Sequence, residues 1–226
     1  MVDVRELISV VIPAYNEEKS IVSIVTSARN FSGEVIVIDD GSIDKTAEIA
    51  RKNGATVISH QTNKGYLEAL RTGFKTANRP IIVTIDADGQ HNPNDIPRLI
   101  QPIIQGEADL VIGAREKLSS TSEKLLTKLT RIIVNVSDAS SGYRAIRSNI
   151  AKKMRLIGKC TCGTFIIEAL RLGARISEVK LETRKRESGK SKMGKHHLAQ
   201  TLILIKEIAA YEVKIRRLQI AKPDDA

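Results

Sequence analysis

Residues 81–90 run Ile-Ile-Val-Thr-Ile-Asp-Ala-Asp-Gly-Gln. The apolar part, rich in β-branched side chains, is too short for a helix and lacks the alternation of a half-exposed strand. Ile81–Asp86 is therefore predicted to be a strand covered on both faces. Working outward, the same pattern recurs. Leu7–Ile12 precedes Tyr15-Asn16-Glu17, Glu34–Asp39 runs into Asp39-Asp40-Gly41-Ser42, and Thr56–His60 and Asp109–Ile112 supply two more strands. Helical patterns lie between them: about Ser20–Asn30, about Asp44–Asn53 with Gly54 as its stop, a helix carrying Leu67, Leu70, Phe74 and Ala77 on one face, and Asp95–Gln105 interrupted by proline. Strand–helix alternation of this kind implies an α/β fold with a largely parallel central sheet and helices on both faces. In such sheets ligands bind beyond the carboxyl ends of the strands, where the polar clusters of this chain fall.

Asp86, Asp88 and Gln90 leave the same strand end. If the chain stays extended there, alternate residues share a side and all three can face one ligand. Two carboxylates and an amide oxygen are hard donors that suit Mg²⁺ or Mn²⁺ with phosphate oxygens. A polar turn after a strand explains the same residues equally well, and spacing alone does not choose.

The second half has a different character. A helix over about Glu123–Val136 would put Leu125, Leu126, Leu129, Ile132, Ile133 and Val136 on one stripe flanked by Lys124, Lys128 and Arg131. That stripe can lie on a membrane surface or pack on the domain. Ser140–Arg147 is irregular or strand. Helices follow near Asn149–Leu156 and Thr164–Gly173, then a strand at Arg175–Thr183, a Gly- and Lys-rich loop over Arg184–Lys195, and a last helix near His197–Leu218 ahead of a frayed tail. The organisation expected is a domain over residues 1–195 and a C-terminal amphipathic helix and tail over 196–226.

The chain of 226 residues carries a net charge of +10, from 36 Lys+Arg against 26 Asp+Glu, which favours anionic partners. Nucleic acid is disfavoured because the basic residues lack interleaved aromatics for base stacking. Cys160 and Cys162 have no second cysteine pair to complete a zinc site and are expected to be reduced thiols. His91 and the pair His196-His197 lack a third ligand and read as incidental. The run Ile8–Ile12 is short and ends at Pro13, so no secretory signal is expected, and no stretch is long and apolar enough to span a bilayer. A cytoplasmic location, with the membrane surface as a further option, follows. Asn135-Val136-Ser137 has the form of a glycosylation acceptor that a cytosolic chain would not present to that machinery. Gly189-Lys190-Ser191 imitates the end of a phosphate-binding P-loop, but the glycine required five residues earlier is Arg184.

Val10-Val11-Ile12-Pro13-Ala14-Tyr15-Asn16-Glu17-Glu18, Val35–Ser42 and Ile85–Pro93 occur in order at successive strand ends. Asn63-Lys64-Gly65, Gly113-Ala114-Arg115, Ser141-Gly142-Tyr143-Arg144-Ala145 and Arg186 through Lys192 follow. Together they resemble the inverting family 2 glycosyltransferases, and the later set resembles the dolichyl- or polyprenyl-phosphate mannose synthase branch. The resemblance covers roughly Ile8–Met193 and is weakest between Lys117 and Val136. It implies a GT-A fold and transfer of a hexose, mannose from GDP-mannose, to dolichyl or polyprenyl phosphate. It also implies roles for individual residues. Pro13, Tyr15 and Glu17 would line the nucleoside pocket, and Asp40, with Asp39 and Ile38, would contact the base. Asp86 would reach the ribose or sugar, Ala87 would contact it through backbone, and Asp88 and Gln90 would hold the metal. Arg115, Arg186 and Lys192 would neutralise the diphosphate or grip the acceptor phosphate. Asp88, Arg115, Arg186 and Lys192 form the catalytic set so implied. Ser141 or Arg144 could face the acceptor, whereas Tyr143 reads as packing. An ionised phosphate is already a nucleophile and needs no strong base. A hydroxyl of a glycan or glycolipid, the alternative acceptor, would need a carboxylate base such as Asp138. A non-catalytic nucleotide- or nucleic-acid-binding module is the alternative of another class.

Overall fold

The computed structural model describes residues 3–118, 120–184 and 197–220. The strands are β1 Ile8–Ala14, β2 Glu34–Asp39, β3 Thr56–Ser59, β4 Ile81–Thr84, β5 Leu110–Arg115, β6 Arg144–Arg147 and β7 Ile176–Leu181. They form one seven-stranded sheet in the order β3-β2-β1-β4-β6-β5-β7. All pairings are parallel except those of β6, which is antiparallel to both β4 and β5. The helices are α1 Ile21–Arg29, α2 Thr46–Lys52, α3 Tyr66–Thr76, α4 Ile96–Ile104, α5 Thr121–Thr130, α6 Ser148–Ala151, α7 Thr164–Arg171 and α8 His197–Ile220.

β1, β2 and β4 are mostly apolar and buried because helices cover both faces. Ile8, Val10 and Ile12 of β1 join α1 and α4 in one core cluster, which includes Ile24, Val25, Leu99 and Ile103. Val11, between them in the chain, joins Leu70 and Phe74 of α3 and Phe165 of α7 in the other. The period of two along the strand thus separates the two layers.

β1 and β4 part at the centre of the sheet, and Pro13 marks the place. β1 stays paired with β2 as far as Ala14, but with β4 only as far as Val11. The Val11 carbonyl accepts from Ile85 N at 3.2 Å, so Val11, and Pro13 two residues on, face β4. Proline has no amide hydrogen to donate, and it sits just beyond the last β4 rung, where no partner is needed.

The single long helix expected over 123–136 does not form. A capping box, in which Ser120 Oγ accepts from Glu123 N and the Glu123 side chain accepts from Ser120 N, starts α5 early. The helix ends at Thr130. Leu126 enters a cluster with Ile167 and Leu204, whereas Val136 must reach Ile112, Ala139 and Ile166 beneath the sheet. Two cores claim one stripe, and a turn between them is the result. Leu125 and Ile132 are left exposed. The helix expected near Asn149–Leu156 is likewise cut to the four residues of α6.

α8 packs on α5 and α7 through Leu204 and Ile208. Its first residue, His197, is not incidental: it is buried against Cys160 and Cys162. The described residues contain no helix long and apolar enough to cross a membrane.

Candidate active site

The strands open between β1 and β4 at the point where the direction of winding reverses, and three loops converge on their carboxyl ends. The loop after β1 is stitched to the loop after β2. Asn16, in a left-handed conformation with φ 58°, accepts from Ile43 N at 2.9 Å through its side-chain oxygen, and its own amide donates to Ser42 Oγ at 2.9 Å. Glu17 N donates to Thr46 Oγ1 at 2.8 Å. Tyr15 and Glu17 are half-buried on this seam, with Pro13 and Ile38 buried behind it.

Asp39 and Asp40 are both buried but differently employed. Asp40 accepts from Lys64 N at 2.9 Å, Gly65 N at 2.8 Å and His60 Nδ1 at 2.7 Å, so its carboxylate is spent on holding the loop that leads into α3. Asp39 Oδ1 accepts from Ser42 N at 3.2 Å. Of the two, Asp39 keeps more capacity for a ligand. Gly41 follows at φ 75°, with Thr62 and Asn63 packed where a side chain would be, so only glycine fits that turn.

β4 ends at Thr84, and residues 87–88 form a turn. Asp86, Asp88 and Gln90 therefore do not line one side of an extended chain, and the turn itself divides them. Asp86 lies against the backbone of Gly142, where any side chain would collide with it, and is hydrogen-bonded to the buried Tyr66 hydroxyl. Burial, with Asp86 beside it, pushes the Tyr66 hydroxyl well above the usual phenol range. Asp88, buried, accepts from Gln90 N at 3.0 Å, which joins these two residues in one turn. Ala87, between them in the chain, is buried in the core. The Gln90 carbonyl accepts from Arg184 N at 2.9 Å, so the chain returns to this turn two residues before Arg186. Arg186 and Lys192 themselves lie outside the described residues.

His91 is packed on the Tyr143 ring, with centroids 5.1 Å apart, and burial lowers its pKa to about 4. Tyr143 is fully buried, and its hydroxyl donates to Asn92 O at 3.1 Å. Arg115 is firmly engaged. Its Nε and Nη2 donate to Asp138 at 2.7 and 3.0 Å, and its Nη1 and Nη2 donate to Glu123 at 3.3 Å. Burial alone would raise the Asp138 carboxyl, but Arg115 and the Ser140 amide hold it below its usual range. Asp138 is therefore an anchor for Arg115, not a base awaiting a proton. Arg144, left open from sequence, is buried with its guanidinium 4.4 Å from the Phe165 ring centroid and Nη2 donating to Thr161 Oγ1 at 3.0 Å. Tyr66 and His60 were missed from the sequence. Tyr66 directly follows Asn63-Lys64-Gly65, and that adjacency was the available signal.

Residues 9–165 match the model of the family described as Glycosyl transferase family 2. The UDP-N-acetylglucosamine–dolichyl-phosphate N-acetylglucosaminyltransferase of Methanococcus voltae is 33% identical over 79% of this chain and 86% of its own length. The undecaprenyl-phosphate mannosyltransferase of Micrococcus luteus is 32% identical over 81% of this chain and 86% of its own. Among solved structures, glucosyl-3-phosphoglycerate synthase from Mycobacterium tuberculosis, in complex with Mn²⁺, UDP-glucose and phosphoglyceric acid, superposes with a TM-score of 0.74 at 26% identity, covering 90% of this chain and 79% of that one. The sheet with its one antiparallel inner strand, the acidic turn after β4 and these likenesses agree: the chain is a glycosyltransferase and belongs to glycosyl transferase family 2.

Proposed function

We propose that the enzyme transfers a hexosyl group from a nucleoside diphosphate sugar to a polyprenyl phosphate, inverting the anomeric centre. The observation that carries the choice of acceptor is the state of the titratable groups beyond Asp88. Asp138 is locked to Arg115, and His91 has a pKa near 4, which makes it a weak base at neutral pH. A hydroxyl acceptor needs its proton removed, whereas an ionised phosphate attacks without help. The two relatives named above, whose acceptors are a dolichyl and an undecaprenyl phosphate, support the same reading.

Asp88 and Gln90 suit a hard divalent cation, Mg²⁺ or Mn²⁺, because a buried carboxylate and an amide-bearing residue, joined by the Gln90 backbone N–H, share one turn. Such a cation would neutralise the departing diphosphate. Asp39 would read the base, Tyr15 and Glu17 would flank the nucleoside, and Asp86, steadied by Tyr66 and Gly142, would orient the sugar. Arg186 and Lys192 would meet the phosphates from the segment that begins at Arg184. GDP-mannose is the donor proposed. A UDP-sugar is the second reading, favoured by the donor of the Methanococcus voltae relative and by the UDP-glucose in the tuberculosis structure.

The acceptor sits in a bilayer, and α8 offers a face to one. Leu198, Leu202, Ile205 and Val213 lie on one side of the helix, all exposed, opposite the buried Leu204 and Ile208, with exposed Lys206 and Lys214 beside them. We place this face on an anionic membrane surface.

The test is a matrix of GDP-mannose and UDP-sugars against polyprenyl phosphate and hydroxyl acceptors, with Mn²⁺, Mg²⁺ or chelator. Glycolipid formation that stops with chelator, and that falls at least 100-fold in Asp88→Ala, is expected. Product only from hydroxyl acceptors would sink the reading.

A further inference from the structure

Outside this site the fold assembles a second set of metal-binding side chains. Cys160 and Cys162 lie on the loop between α6 and α7, and His197 opens α8, 35 residues after Cys162. All three are buried, and one donor atom from each lies within 4.8 Å of the other two. Cys162 Sγ and His197 Nε2 are 3.9 Å apart. A tetrahedral zinc ion, with Zn–S about 2.3 Å and Zn–N about 2.0–2.1 Å, holds such donors roughly 3.5–3.8 Å apart. A contraction of about 1.3 Å at most would close the three on one ion.

The supporting groups favour that arrangement. The other ring nitrogen of His197, Nδ1, is bonded to Ser122 Oγ at 2.6 Å, which aims Nε2 at the thiols. Gln200, one turn along α8, grips the cysteine loop from the same side. Its Oε1 accepts from Lys159 N at 2.8 Å and Cys160 N at 3.3 Å, and its Nε2 donates to Cys162 O at 3.1 Å and Thr164 Oγ1 at 3.0 Å. Two thiolates and an imidazole are soft donors, unlike the oxygen set of Asp88 and Gln90.

We propose that Cys160, Cys162 and His197 bind a thiophilic transition-metal ion, Zn²⁺ foremost, in a structural site separate from the catalytic cation. The ion displaces the two thiol protons, takes the imidazole nitrogen as third ligand and leaves the fourth position to a water-sized oxygen ligand. It ties the start of α8 to the loop before α7 and, through Ser122, to α5. His197, the next described residue after Arg184, is then fixed by a metal bond.

The test uses the full chain, reduced, stripped with a chelator and titrated with Zn²⁺ under excess Mg²⁺. One equivalent should bind in the wild type and in Asp88→Ala, and the affinity should fall at least 100-fold in Cys162→Ser and in His197→Gln. Co²⁺ should give thiolate charge-transfer absorption in the wild type that is absent from the Cys160→Ser/Cys162→Ser double variant. If the variants fail to fold, X-ray absorption of the zinc-loaded wild type decides: two sulfur ligands support the site, and a shell of nitrogen and oxygen alone overturns it. Equal Zn²⁺ affinity in folded wild-type and double-variant chains also overturns it, as does a reduced wild type that binds no Zn²⁺.

Discussion

β5 has an arginine–carboxylate cluster at each end, and the two are opposite in composition. At the carboxyl end, one partly buried arginine, Arg115, lies between two carboxylates, Asp138 and Glu123. Just before the amino end, one carboxylate, Asp109, lies between two arginines, Arg147 at 2.9 Å and Arg175 at 2.9 Å. The Asp138 side chain is 0% exposed and that of Arg115 is 14%, whereas Arg175 is 56% exposed. Water screens the far cluster and scarcely reaches the one beside the site. Charges of equal number therefore differ in consequence: near the site they fix geometry, and at the far end they fasten β5 to β7.

The largest expected effect follows from removing Asp138. Asp138→Ala leaves the Arg115 charge buried with only the more distant Glu123, and should destabilise the fold by about 3–5 kcal/mol in urea unfolding. An Arg115→Met/Asp138→Leu double variant should regain much of that loss, and an equal or larger loss would show that the pair does more than cancel its own burial. Arg115→Lys gives up the two parallel bonds to Asp138 and should lose about 2 kcal/mol. If Arg115 also grips the acceptor phosphate, the same variant raises the KM for polyprenyl phosphate. An unchanged KM would leave Arg115 with its anchoring role alone. At the far end, Asp109→Asn should destabilise by about 1 kcal/mol with full activity. A loss as large as that of Asp138→Ala would erase the contrast.

The smallest effect is in acid. Hydrogen bonds from Arg175 hold Asp109 far below the usual carboxylate range, despite some burial, with further bonds from Arg147. A depressed folded pKa gives stability that is complete above the unfolded value of 3.8 and is lost as pH falls through the folded one. The thermal midpoint of the wild type should therefore drop more steeply below pH 4 than that of Asp109→Asn.

What the sequence revealed follows from how local each interaction is. β1, β2 and β4 are apolar on both faces, so their runs announced themselves, and the acidic turn after β4 stood out against them. The path of 131–136 was hidden because Leu126 and Val136 answer to different cores, and a helical period cannot express that division. The antiparallel β6 was hidden because pairing direction leaves no mark on four residues. Asp138 was named without a position because its partner is 23 residues away. His197 was set aside because only the docking of α8 brings it to the thiols. The site residues in strand-end turns were legible, and the groups that restrain them came from distant parts of the chain.

The hydrogen bond from Arg184 N to Gln90 O also bears on chain entropy. With His197 buried at the start of α8, it pins both ends of residues 185–196, so loop closure is already met by the folded body. A cation acting from there, as proposed for Arg186 and Lys192, would work at a high effective concentration near the acidic turn. Doubling the length of the segment would then cost only about 0.6 kcal/mol in closure. Cutting it once would leave each cation tethered at one end only and lower that concentration, with every residue of the turn in place.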